Sequence, residues 1–411
     1  MNKIMCGLSV GIVAGAVLLS SCSTNLGPET LPSTTPATET TVETEPVETT
    51  PPEIPEHTEP FSQAIITGSI VNSYGALSVD GTDITNSEGQ SVVLKGMSSY
   101  GIQECGDFFT FEVVKTLAED WGCDILRIAI TGDAESEDSY LKDPDKYFDR
   151  ICKIVDMCET QGVYVIIDWN ILYDEEYDEN LEAAVDFFKR FSSIYSSSPN
   201  VIYEINNDPV KPYEELESSE EWEEKIVPFA NDVIDAIREN SEDSIIIVGT
   251  PRKSLDVDVA SEAPLDYSNI AYACRILSGV HTDAQREKIE DALDEDICVF
   301  VTEWGLTNEF GGGGIHIAES TKWAEFLDEH GISWCNFAIG SASADDTNAL
   351  NLDDERYTDA QKTSGHWPAG LISESGSFAR EQFLKMNEEP AETSETTETT
   401  EETEETEEPE D

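Results

Sequence analysis

Basic side chains are scarce in this sequence. Among 411 residues, 23 Lys and Arg stand against 86 Asp and Glu, for a formal charge of −63. That poverty of cations argues against nucleic acid as a partner, because phosphate binding needs basic patches. It also disfavours adsorption to anionic lipid headgroups. Histidine is scarce too, with five residues, and neither a CxxC nor a Cys/His spacing of a zinc site occurs. Spacing therefore points to no metal. Of nine cysteines, seven lie between residues 61 and 386, mostly inside apolar runs. An odd number there argues against a disulfide framework and reads as small buried hydrophobes.

The two ends supply part of the acidity. Residues 23–60 hold eight Glu, with repeated Pro and Thr and no Lys or Arg. Such a tract cannot bury enough apolar surface to fold, and it reads as an extended linker. Residues 387–411 carry twelve Glu and one Asp, a Glu/Thr repeat expected to be disordered. Residues 61–386 keep −43 of the charge and are long enough for one large core. Ahead of the linker, Lys3 precedes an apolar stretch, Ile4–Leu19, too short and Gly-rich for a membrane span. It ends in Leu19-Ser20-Ser21-Cys22, which resembles the bacterial lipoprotein cleavage box. Residues 1–22 are thus expected to be a signal peptide, with Cys22 lipidated and the protein held at a bacterial cell surface.

Between the tails, short apolar runs alternate with helical periods. The runs are Val92–Met97, Ile125–Ile130, Val163–Asp168, Val201–Ile205, Ser244–Val248, Ile270–Cys274, Cys298–Thr302 and Ile332–Phe337. They have the apolar, largely β-branched character of strands buried on both faces. One intervening amphipathic stretch carries Tyr147, Phe148, Ile151, Ile154, Val155 and Cys158, and another Leu181, Ala184, Phe187 and Phe188. Eight such pairs predict an α/β fold, a (β/α)8 barrel over residues 61–386. A hairpin of Leu77–Asp80 and Gln90–Leu94 around Ser87-Glu88-Gly89 is expected to plug its bottom.

Chemistry in this fold sits past the C-terminal ends of the strands. That rule selects Tyr100, Arg127, Asn170, Asn207-Asp208, Arg275, Glu303 and Phe337. Asp208 and Glu303, on the fourth and seventh strands, form a carboxylate pair across the mouth. Glycoside hydrolysis needs such a pair, one acid protonating the leaving oxygen and one attacking or activating water. The strings Gly96-Met97-Ser98-Ser99, Val165-Ile166-Ile167-Asp168-Trp169, Asn200-Val201-Ile202-Tyr203-Glu204-Ile205, Phe300-Val301-Thr302-Glu303-Trp304-Gly305 and Gly331-Ile332-Ser333-Trp334 occur in this order. Together they resemble bacterial cellulases of glycoside hydrolase family 5, near its second subfamily, over roughly residues 75–386.

The resemblance implies a retaining β-1,4-glucanase without metal or cofactor, acting on a β-linked polysaccharide, β-glucan above all, as a monomer. Glu303 matches the nucleophile, Asn207 the Asn that bonds the sugar 2-hydroxyl, and Arg127 the Arg that keeps the nucleophile ionised. The departures are as informative. Asp208 stands where the family has the Glu acid/base, and Asn170 where it has His. Arg275 and Leu277 replace His and Tyr, Phe337 replaces a platform Trp, and Tyr100 a first-strand His. An acid one methylene shorter sits about 1 Å back, a displacement that can cost ~10²-fold. Leu277 offers no hydroxyl, and Arg275 is fixed in charge. Two placements stay open for Arg275: across the sugar site, or paired with Asp208. Trp169, Trp304, Phe337 and Tyr100 are the expected stacking faces. Two functions also stay open: a polysaccharide-binding barrel with weak or lost catalysis, and an active retaining β-glycosidase of altered specificity using Asp208 and Glu303.

Overall fold

A computed structural model describes residues 67–105, 107–132, 139–170, 177–207, 216–309, 311–341 and 345–385. A small antiparallel pair, β1 (Ser78–Asp80) and β2 (Asp83–Thr85), precedes eight parallel strands. These are β3 (Lys95–Ser99), β4 (Ile125–Thr131), β5 (Tyr164–Asn170), β6 (Val201–Asn207), β7 (Ile246–Val248), β8 (Ile270–Leu277), β9 (Cys298–Gly305) and β10 (Trp334–Ile339). They run in chain order around a closed barrel, with β10 pairing β3. The predicted (β/α)8 barrel is the observed fold. Among the described residues, no helix is long and apolar enough to cross a membrane.

The helices follow from local chemistry. The helix Pro144–Gln161 starts at Asp143, whose carboxylate accepts from the Lys146 N–H, with Pro144 in its first turn. It ends at Gly162, which adopts a left-handed φ of 68°. Its buried stripe of Tyr147, Phe148, Ile151, Ile154, Val155 and Cys158 packs on the strands.

Strand parity sorts the core into two layers. Leu126, Ile128, Val165, Ile167, Val299 and Val301 face the helices. Ile125, Ile166, Ile202, Ile247, Ala273 and Phe300 fill the barrel's interior. Val92 and Leu94 belong to that inner cluster with Leu77 and Ile84, yet β3 begins only at Lys95. Their apolarity reflects a plug beneath the barrel, so the first strand lies later than its apolar run suggested. The plug's hairpin is also corrected: β1 pairs with Asp83–Thr85, and Asn86–Gln90 forms a second turn, leaving only a Thr85–Ser91 bridge. All seven described cysteines are buried and free.

At the bottom end of β4, Asp124 accepts the Lys95 N–H at 3.1 Å. Burial pushes its carboxyl up to about 7, against the pull of that bond and of Lys95. A carboxyl raised on folding favours the folded state below its unfolded value and loses that advantage as pH rises through its folded one. Asp124→Asn is therefore expected to gain stability over wild type as pH rises from 5 to 8. Because solvent reaches the residue in part, the expected gain is about 2 kcal/mol rather than the full linkage value. Urea unfolding at the two pH values measures it, and a pH-independent difference would show that Asp124 titrates normally.

Candidate active site

The barrel's interior turns from apolar to charged near its C-terminal mouth. Inward parity places Arg127 on β4, Asp168 and Asn170 on β5, and Glu204 on β6. Arg127 is fully buried and touches three carboxylates. Its Nε donates to Glu204 at 2.6 Å, one Nη to Asp168 at 2.8 Å, and the other to Glu303 at 3.0 Å. Ser98 Oγ accepts from the same guanidinium at 3.0 Å. Burial alone would lower the basicity of Arg127, but Asp168, Glu204 and Glu303 override it and hold the guanidinium well above its ordinary range. Burial also raises the carboxyl of Glu204, opposed by Arg127.

Two β-bulges deliver the polar groups that plain alternation would turn away. Across β5 and β6, Asp168 pairs with Glu204 but Asn170 pairs with Asn207, so β6 carries one extra residue. Across β8 and β9, Cys274 pairs with Val301 but Arg275 pairs with Glu303. Each extra residue flips the parity of the strand beyond it. Asn207 and Glu303 thereby face the interior and meet, Asn207 Nδ2 donating to Glu303 Oε1 at 2.8 Å.

Glu303 is thus hydrogen-bonded on one oxygen and faces a second cation at the other. Arg127 and Asn207 converge on Oε1, and Arg275 Nε lies 3.5 Å from Oε2. Of the two placements that the sequence left open for Arg275, pairing with Asp208 involves a residue outside the described ones, and the described residues set Arg275 beside Glu303. Leu277, at the end of β8, is buried against Gly305. Its N–H donates to His281 Nδ1 at 2.9 Å. Burial, then Arg275 and Lys288, push His281 down to about 4, so this imidazole is neutral at ordinary pH. Asn170 is buried, and its Oδ1 makes no hydrogen bond to a described residue. Tyr100 and Phe337 are half-buried at the mouth, ring centroids 5.3 Å apart at 33°.

Two expected stacking faces are corrected. Trp169 is fully buried between Tyr140, Phe187 and Phe188, and Trp304 between Trp334 and Phe378. Each neighbours an inward residue on its strand and so points to the helix layer. The Trp304 indole N–H is spent on Ser278 Oγ at 2.9 Å. Conversely, the sequence presents Asp168 and Glu204 only as parts of longer motifs, yet they are central to the charged network. The signal for both is an acid at inward parity on an otherwise apolar strand. Among the described residues, no group of three His, Cys, Asp or Glu is placed to hold a metal ion.

Residues 85–343 match the family model described as cellulase, glycosyl hydrolase family 5. An endoglucanase of Clostridium saccharobutylicum is 37% identical over 307 residues, 75% of this chain and 64% of that protein. Endoglucanase A of Evansella cellulosilytica is 35% identical over 302 residues, covering 74% and 58%. The chain therefore spans about three fifths of the length of these relatives. Among solved structures, the catalytic domain of a Thermobifida fusca endoglucanase, determined with cellotetraose, is 30% identical with a TM-score of 0.69. That match covers 77% of this chain and all of that one. A cellulase structure at 33% identity has a TM-score of 0.70, covering 78% and 95%.

Proposed function

From the premise that this chain belongs to glycosyl hydrolase family 5, we propose that its barrel binds β-glucan at the strand mouth and hydrolyses it weakly or not at all. The observation that carries this is the contact of Arg275 with Glu303 Oε2. In a retaining reaction the nucleophile must present an oxygen to the anomeric carbon. Here Oε1 is engaged by Arg127 and Asn207, and Arg275 stands at the other oxygen. A fixed positive charge there lowers the nucleophilicity of the carboxylate and fills space where the sugar would lie. Binding draws on other groups: the paired, half-buried rings of Tyr100 and Phe337 offer an apolar face.

The test measures two quantities on one panel of β-glucans, mannan and xylan. The protein is expected to be retained on a β-glucan, and Phe337→Ala to weaken retention about tenfold. Reducing-sugar release is expected to stay at least ~10²-fold below that of an active endoglucanase relative. Release at an ordinary family rate, abolished by Glu303→Gln, would overturn the reading. It would leave Asp208 and Arg275 as parts of an altered specificity.

The same reading places the protein, a monomer, at a bacterial surface through a lipid on Cys22. The support is the apolar stretch ending in Leu19-Ser20-Ser21-Cys22, and three acyl chains on one residue suffice for stable anchoring. Cys22→Ala is expected to block processing or release the protein from membranes. Unchanged membrane association of that variant would remove the anchor from this account.

A further inference from the structure

The flank of the barrel carries a second aromatic pocket. After β10 the chain makes a long excursion before the helix Glu374–Lys385, and residues 340–341 and 345–373 of it are described. Long excursions of this kind are more often functional than idle. This one is pinned to the helix Phe111–Glu119. Thr110 Oγ1 donates to the Thr363 carbonyl at 3.1 Å. Gly365, at φ +74°, passes so close that an added Cβ would fall 2.4 Å from the Glu112 carbonyl oxygen. A side chain there would lift the segment off the helix.

The pinning sets Trp367 in place. Its ring lies parallel to Phe108 at 6.2 Å and edge-on to Trp121 at 5.5 Å. Its indole N–H donates to the Lys362 carbonyl at 2.8 Å. Beside it opens a pocket of about 550 Å³, lined among others by Trp121, Trp367, Asp120, Gln361, His366 and Arg380. Arg380 is oriented by the Asp120 carbonyl, which accepts from Nε at 3.3 Å and Nη2 at 3.2 Å.

We infer that this flank pocket is a second carbohydrate site, taking a neutral pyranose unit. The half-buried indole of Trp367 supplies an apolar surface for the C–H face of a sugar, with the buried Trp121 backing it. The amide of Gln361, the carboxylate of Asp120 and the guanidinium of Arg380 supply donors and acceptors for its hydroxyls. Asp120 and Arg380 offset each other in charge, so the pocket does not select an anion. Its volume falls in the range of small-molecule sites. That the sugar is a glucose unit rests on the β-glucan reading of the barrel mouth; the pocket itself does not. Two sites on one chain would raise retention on a polymer beyond either alone.

Calorimetric titration of the full chain with cellohexaose tests this. The wild type is expected to bind at two sites. Phe337→Ala should weaken the mouth site, and Trp367→Ala the flank site, each by about tenfold. Trp367 packs on Phe108, so Asp120→Ala, an exposed position, provides a second variant with an intact aromatic frame. Loss of flank binding in both folded variants supports the site. Unchanged binding in Asp120→Ala, together with unchanged binding in a folded Trp367→Ala, overturns it. Flank binding that survives while Phe337→Ala changes nothing overturns the mouth reading alone. A wild type that binds no cellohexaose overturns the β-glucan reading, and one that binds neither cellohexaose nor mannohexaose nor xylohexaose overturns the pocket as well.

Discussion

Replacing Arg127 by methionine is expected to destabilise the barrel by at least about 3–5 kcal/mol. The guanidinium is fully buried and bonds Asp168, Glu204 and Glu303 at 2.6–3.0 Å. Methionine fills much of the same volume but leaves three carboxylates around an apolar thioether. Removing one partner of a buried ion pair costs far more than the pair contributes, because the remaining charge stays desolvated. Burial already raises the carboxyl of Glu204, and the pull of Arg127 is what restrains it. Without that pull Glu204 takes up a proton, its folded value rising further above the unfolded one. The stability it confers when protonated is then lost as pH increases. The loss should accordingly be larger at pH 8 than at pH 5.5. Denaturant midpoints at both pH values, with unchanged m, measure it. A pH-independent loss below 1 kcal/mol would mean that water already solvates the network.

How much of this is legible in the sequence depends on parity. The barrel is, because strands buried on both faces read as apolar runs and the helices between them carry a 3.6-residue stripe. Strand edges are less so. Val92 and Leu94 are apolar for the sake of the plug, and nothing local separates a plug residue from a strand residue. Motif position alone makes Trp169 and Trp304 look like stacking faces. Alternation removes Trp169, which follows the inward Asp168, whereas Trp304 is turned outward only by the bulge on β9. The same alternation applied strictly would misplace Asn207 and Glu303, whose bulges reverse it. A bulge is a pairing between two strands and leaves no mark in either alone. The family strings supply those residues where periodicity cannot. The position of Arg275 against Glu303 depends on the register of β8 on β9, again a property of the pair.

That register frames the largest functional expectation. Asp208→Glu alone is expected to change turnover on β-glucan by less than about tenfold, since groups acting as one catalytic unit do not add. A longer acid brings a proton donor forward. It does not move Arg275 from Glu303 Oε2, where the guanidinium sits at 3.5 Å. Nor does it supply the hydroxyl that the buried Leu277 lacks. Arg275→His alone should free the second oxygen but leave protonation of the leaving group inefficient. Leu277→Tyr alone adds a phenol beside an oxygen still engaged by Arg275. Combining Asp208→Glu, Asn170→His, Arg275→His and Leu277→Tyr should raise turnover by ~10²-fold or more beyond the product of the single effects. Thermal unfolding must show the quadruple variant folded, because Asn170 and Leu277 are both buried. A folded quadruple variant no faster than that product would mean that the block lies elsewhere. The geometry would then be that of a barrel whose carboxylates serve the Arg127 network rather than chemistry.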